Sequence, residues 1–317
     1  MKIHIPNSAF LGNIDPFLRG FDPSDPDSLR ITLNPNWTSV HPLVLSMIAA
    51  LGLNVKPENI YIDKLEAKSG TYLVRIGLFK ILNLACDTKI QEHAPEGRFI
   101  PVKQVRTSDE LAEFITEMIP MLHSDPEQAK TIGYIISELG RNVLEHSIAE
   151  NGAILCAQFY AKSNTIRIGI ADTGIGIRKS INQSHVATTD LEAIRLALWP
   201  GVTGTTSAPG GTAQNAGAGL FFVKSIANLN KDFFVIYSGN GFYKLLIKKG
   251  ERIKLNADPF DDRHSRNDQL PYWQGTLVGV DITLDQTREY SELLDAIRDI
   301  YYALRKTRKP HKRPKFI

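Results

Sequence analysis

Along the first hundred residues, short apolar stretches alternate between the two-residue period of a strand and longer runs suited to a helix. "SLRITLN" reads as a strand, a polar "PNWTSV" follows, and "HPLVLSMIAALGL" is apolar enough for a buried helix. "IYID" then precedes "SGTYLVRIGLFKILNLA", again strand followed by helix, and "RFIPVKQV" is a third strand candidate. In "RTSDELAEFITEMIPML" the Thr107/Ser108 cap with Glu110 close behind starts a helix near Ser108. These elements predict an α/β unit over residues 1–105, with a second unit over 106–303.

The second unit has a different rhythm. A long helical period in "EQAKTIGYIISELGRNVLEHS" leads to strands "AILCAQFYA" and "TIRIGIAD". A glycine- and threonine-rich stretch from Gly201 to Gly219, with a short helix around "LEAIRLAL", separates these from the helix "LFFVKSIANL". Strands "DFFVIYS", "GFYKLLIKK" and "GTLVGVDITL" come next. "REYSELLDAIRDIYYALRK" closes the unit, with Leu293, Leu294, Ile297, Ile300, Tyr301 and Leu304 on one helical face. The expected fold is a two-layer α/β sandwich, a mixed sheet with helices on one face, preceded by a smaller α/β domain.

Composition narrows the class. A chain of 317 residues, 43% hydrophobic, can bury a sizeable core and suits two domains of ~100–200 residues each. Cys86 and Cys156 are too few for a disulfide framework, which fits a reducing compartment. No signal-peptide core stands at the start, and no apolar run approaches the ~18–20 residues of a membrane span. A soluble, cytoplasmic protein without a membrane segment is expected. The net charge of +3 conceals an asymmetry: "ALRKTRKPHKRPKFI" holds seven Lys/Arg and no acid. Without it the chain carries 30 basic against 34 acidic side chains. The tail from residue 304 reads first as a solvated terminus. Its charge would also suit nucleic acid, an anionic surface or an acidic partner.

The chemistry gathers around "DTGIGIRK", which directly follows the strand "TIRIGIA". Dinucleotide binding needs G-x-G-x-x-G, but the third position after Gly174 and Gly176 is Lys179. A phosphate loop of the G-x-x-x-x-G-K-[ST] type fails too, because Lys224-Ser225 has no glycine before it. Within "SELGRNVLEHS", Glu138, Asn142 and His146 recur every four residues and share one helical stripe beside Ile135, Ile136, Leu139 and Val143. That stripe could be ordinary solvated surface. Equally, the Asn142 amide oxygen could ligate Mg²⁺ and Glu138 could orient or deprotonate a water beside it. Asp172, at a strand end, offers an acceptor suited to the amino group of adenine, with Gly174 and Gly176 letting a ligand come close. In "NAGAGLFFVK", Gly217 and Gly219 stand where a helix begins, and backbone N–H groups there suit phosphates. The segment "PGVTGTTSAPGGTAQNAG" has the composition and length of a lid or of a disordered stretch.

In order and spacing, "SELGRNVLEH", "DTGIGI", "NAGAGLFFVK" and "WQGTLVGVDI" resemble the N box, G1 box, G2 box and terminal Gly-Thr strand of the GHKL (Bergerat-fold) ATPases. That superfamily includes gyrases, sensor histidine kinases and anti-sigma-factor serine kinases, and the likeness covers residues 108–285. It implies Asn142 as Mg²⁺ ligand, Asp172 as adenine reader and Glu138 as water-activating base. It further implies that Gly174 and Gly176 shape the adenine pocket, that Gly217 and Gly219 cradle phosphates, and that Thr276 backs the adenine. Phe221 stands where the G2 box usually has another glycine. Sensor histidine kinases usually carry asparagine at the position of Glu138, and none of the eight histidines, His123 included, has the context of a phosphoacceptor. The anti-sigma kinases and true ATPases are therefore the nearer likeness, and the first unit faintly resembles a STAS-like module. The resemblance implies a Mg-ATP-binding and hydrolysing regulatory switch with a protein partner or a second copy of itself. A serine/threonine kinase of the anti-sigma type and a nucleotide-gated module without turnover are the alternatives.

Overall fold

The computed structural model describes residues 1–34, 38–62, 68–85, 99–121, 126–202, 219–246 and 254–284, with isolated positions between 295 and 303. The N-terminal elements are β1 (Lys2–Ile5), β2 (Ser8–Ala9), α1 (Asp15–Arg19), β3 (Leu29–Leu33), β4 (Ser39–Val40), α2 (Pro42–Gly52), β5 (Ile60–Ile62), α3 (Lys68–Arg75) and α4 (Leu78–Ile81). Then come β6 (Phe99–Val105), α5 (Ser108–Met121), α6 (Pro126–His146), β7 (Ala153–Tyr160), β8 (Thr165–Asp172), α7 (Gly176–Ile181) and α8 (Asp190–Ala197). The last are α9 (Gly219–Leu229), β9 (Phe234–Gly239), β10 (Gly241–Leu245), β11 (His264–Asn267) and β12 (Trp273–Thr283).

The class is mixed α/β, as the alternating pattern predicts. A seven-stranded sheet in the order β11-β10-β9-β12-β8-β7-β6 forms the centre, and β1-β3-β5 make a small parallel sheet beside it. Strict alternation sorts the side chains of the large sheet. Ile166, Ile168 and Ile170 of β8, with Val278, Val280 and Ile282 of β12, pack in the core that holds Phe114, Ile135, Leu139 and Phe221 from α5, α6 and α9.

Two expectations differ. "RFIPVKQV", read with the N-terminal unit, forms β6 and pairs antiparallel with β7 at the edge of the large sheet. The helices α5 to α9 of the second unit keep to one face of that sheet, but its other face is not bare: α2 and the small sheet of the first unit cover it. Ile154, Cys156, Ala171, Val235, Tyr237 and Leu277 share a core with α2 and with Ile3, Ile5, Leu29 and Ile31 of the small sheet. The reason lies in α2, whose residues are all buried. A helix apolar all round needs cover on every side, and the large sheet supplies one of them.

The fit of α2 is set by two glycines. Gly169 of β8 pairs with Gly279 of β12. A Cβ on Gly169 would lie 2.2 Å from the backbone nitrogen of Leu43. The first turn of the helix therefore rests on bare strand backbone, and the Ser46 hydroxyl donates to the Gly169 carbonyl at 2.9 Å. Just before Pro42, His41 caps the helix: its Nδ1 accepts the Leu43 N–H at 3.0 Å, and Nε2 meets Asp281 at 3.1 Å. Burial lowers the pKa of this imidazole while Asp281 opposes the shift. Asp281 also faces Arg167 at 3.5 Å, whose guanidinium lies over the rings of Phe10 and Tyr160. Gly169→Ala is expected to lift α2 from the sheet and to destabilise the fold by about 1–3 kcal/mol, the usual effect of overpacking. Chemical denaturation of the variant against the parent measures it.

Of the closing helix, Ile297 lies among the described residues and is buried, consistent with an inward apolar face. The basic tail lies outside them, as does most of the glycine- and threonine-rich stretch, residues 203–218. Among the described residues no helix is long and apolar enough to cross a membrane.

Candidate functional site

Helix α6 carries Glu138 and Asn142 one turn apart, half-buried on the side that meets α9. Gly219, the first residue of α9, is the point of closest approach. A Cβ there would stand 2.3 Å from Glu138 Oε2 and 3.7 Å from Asn142 Nδ2. Partial burial raises the Glu138 pKa; Arg141 opposes the shift and Glu145 adds to it. A carboxylate in this setting holds a proton more readily than one in water, as a general base must. The Nδ2 atom of Asn142 is buried and has no hydrogen-bond partner among the described residues. A buried amide without a partner among these residues is open to a ligand. Since amide nitrogen and oxygen are assigned from surroundings, a half-turn of the group presents its oxygen instead. His146 ends the helix, half-buried, and completes the stripe.

Gly219→Ala tests this packing. The added methyl meets the far end of a flexible carboxylate rather than backbone, so Glu138 moves aside and the fold survives. A melting temperature close to the parent's is expected, together with a loss of whatever reaction Glu138 serves.

The second half of the site is the end of β8. Alternation puts Asp172 on the same face as Ile166, Ile168 and Ile170, toward the helices. It pairs with Thr276 of β12. The carboxylate is 2% exposed, and its Oδ1 accepts the Gly174 N–H at 2.8 Å. Burial pushes the Asp172 pKa up to about 7, against the pull of backbone hydrogen bonds from Gly174 and Thr276. A carboxyl buried this way is costly to ionise, and such shifted groups are concentrated at functional sites.

Close backbone packing explains the glycines. A Cβ on Gly174 would lie 2.0 Å from the carbonyl oxygen of Ser147, the residue after α6, and the Ile175 N–H donates to that same oxygen at 2.7 Å. The end of α6 and the loop after β8 are thus joined directly. Gly176 begins α7 with φ +76°, a conformation that favours glycine. That short helix was not legible as one in "DTGIGIRK".

The structure therefore brings Glu138, Asn142 and Gly219 together in one group. Asp172, Gly174, Gly176 and Thr276 form another, and Ser147 links the two. Gly217 lies outside the described residues. Ser238, Trp273 and Gln274 were missed by the sequence reading, although all three touch the Asp172 loop or the strand beside it. The signal available for Ser238 was a serine hydroxyl on the same face as Phe234 and Ile236 of the apolar strand "FFVIYS".

Compared with known proteins, the chain matches no family model, no curated protein and no solved structure.

Proposed function

We propose that this site binds Mg-ATP in the manner of the GHKL ATPases and that the chain is an ATP-hydrolysing regulatory switch. The observation that carries the reading is the convergence of separate sequence segments. Gly219 abuts Glu138 and Asn142, while Asp172 lies opposite Thr276 under the loop held by Ser147. The resemblance rested on the order of these motifs along the chain, which does not require that they meet in space.

The residues fit the group they are asked to hold. Asn142, whose amide nitrogen has no partner among the described residues, would take Mg²⁺ through the amide oxygen. Asp172 would accept from the adenine amino group, and Gly219 would let backbone approach the phosphates at the start of α9. When bound, the ion supplies charge neutralisation on the phosphoryl group being transferred. Glu138 takes the proton of the attacking water on a carboxylate oxygen. The half-burial of Glu138 favours this reading over a module that binds nucleotide without turnover.

The reading is tested by incubating the full chain with γ-labelled ATP and Mg²⁺, alone and with candidate protein partners. Labelled inorganic phosphate released by the chain alone supports hydrolysis. Label transferred to a serine or threonine of a partner supports the kinase reading, and bound but unconverted ATP the gated module.

A further inference from the structure

Asp172 can read a base only if its carboxylate and the loop after it keep one position, and its own strand does not supply that. On the α6 side the loop is held where Gly174 packs on Ser147 and the Ile175 N–H donates to the Ser147 carbonyl. The restraint on the other side comes from β9 and the start of β12. Between Trp273 and Thr276 the pairing of β12 with β9 shifts register, and Gly275 within that shift has φ +101°. The bulge pushes β12 backbone against Asp172, so that a Cβ on Gly275 would lie 2.1 Å from the Asp172 carbonyl oxygen.

Four hydrogen bonds gather at this bulge. The Trp273 indole N–H donates to the Asp172 carbonyl at 3.2 Å. The Gln274 side-chain amide donates to the Gly174 carbonyl. Ser238 of β9, 2% exposed, donates its hydroxyl to the Gly275 carbonyl at 2.6 Å and accepts the Ile177 N–H at 2.9 Å. One hydroxyl thus ties the bulge of β12 to the first turn of α7, the two segments that flank Asp172. A buried hydroxyl using both its donor and an acceptor site has a fixed orientation, so it sets position as well as contact.

We infer that Ser238 is the positioning residue of the base-reading loop, with Gln274 as its counterpart on the Gly174 side. The inference rests on the nucleotide reading of the site and goes beyond the residues that reading names. Neither side chain touches the Asp172 carboxylate. Both act by holding the backbone on either side of it, and their contribution is to discrimination between bases more than to phosphate binding.

The test compares the full-length parent with Ser238→Ala and Gln274→Ala. Dissociation constants for ATP and GTP are measured by calorimetry and competition, and amide hydrogen exchange at Gly174 and Ile177 is followed without nucleotide. Loss of the two buried hydrogen bonds made by the Ser238 hydroxyl is expected to weaken ATP binding roughly fivefold to tenfold in Ser238→Ala. GTP binding stays the same, so the preference narrows, and the Ile177 amide exchanges faster in the absence of ligand. Gln274 is solvent-exposed, so its variant folds and decides the matter if Ser238→Ala does not. Parental affinity and preference in the variants, beside a parent that binds ATP, overturn the inference alone. An equal loss for both nucleotides shows a merely structural role and overturns it too. A parent that binds no ATP removes the nucleotide reading and this inference with it.

Discussion

Replacing Asp172 by asparagine is expected to weaken ATP binding while making the protein more stable. On the binding side, a charge-assisted hydrogen bond to the adenine amino group contributes roughly 1.5–3 kcal/mol, or about tenfold to about 150-fold in affinity. The preference for ATP over GTP should narrow at the same time. On the stability side, the Asp172 pKa is raised from 3.8 to about 7 in the folded chain. The native state then holds a proton that the unfolded chain has released, so this group's contribution to stability declines as pH rises from about 4 to about 7. Asparagine removes that slope. Its advantage over the parent is therefore absent near pH 4, grows through the window and levels off above pH 7, reaching a few kcal/mol at most by the rule of ~1.4 kcal/mol per pKa unit.

Binding and titration are also linked. A donor from adenine favours the ionised carboxylate, so ATP binding near pH 7 should release protons. Calorimetry in two buffers of different ionisation enthalpy reads that release, and Asp172→Asn should abolish it. A structural aspartate predicts neither the proton release nor the opposed changes in affinity and stability.

The other large effect concerns turnover. Glu138→Gln keeps the shape of the site and cannot accept a proton. ATP should bind with near-parental affinity while hydrolysis falls ~10²–10⁴-fold, the range for loss of a general base. Because burial raises the Glu138 pKa, the parental rate should climb with pH until the carboxylate is ionised, at a pH above its ordinary 4.5. Asn142→Ala is the contrasting case, since losing the amide oxygen should weaken both Mg-dependent binding and hydrolysis. Single-turnover kinetics at saturating ATP separates the two variants. A folded Glu138→Gln protein that hydrolyses ATP at the parental rate would remove Glu138 from the mechanism.

Periodicity made part of this site legible in the sequence. Four-residue spacing put Glu138 and Asn142 on one stripe of α6, and two-residue alternation along "TIRIGIAD" put Asp172 on the face shared with the helices. Such local repeats need no knowledge of the partner element. What stayed hidden depends on contacts between distant segments. The run "HPLVLSMIAALGL" is apolar on every side, so nothing in it indicates which sheet it covers, and its seat on Gly169 and Gly279 looks like ordinary glycine in a strand. "RFIPVKQV" reads as a strand whichever sheet it joins, and β7 decided that. Ser238 and Gln274 acquire meaning only through the bulge at Gly275, whose register shift depends on how β12 meets β9.

The central claim is that Asn142, Asp172 and Gly219 hold a magnesium–adenine nucleotide complex. The most direct measurement is calorimetric titration of ATP into the full chain, with and without Mg²⁺, for the parent and for Asn142→Ala. The account predicts saturable binding at one site per chain that Mg²⁺ strengthens in the parent, with that strengthening lost in the variant. Absence of saturable ATP binding by the folded parent at millimolar nucleotide and Mg²⁺ would contradict it.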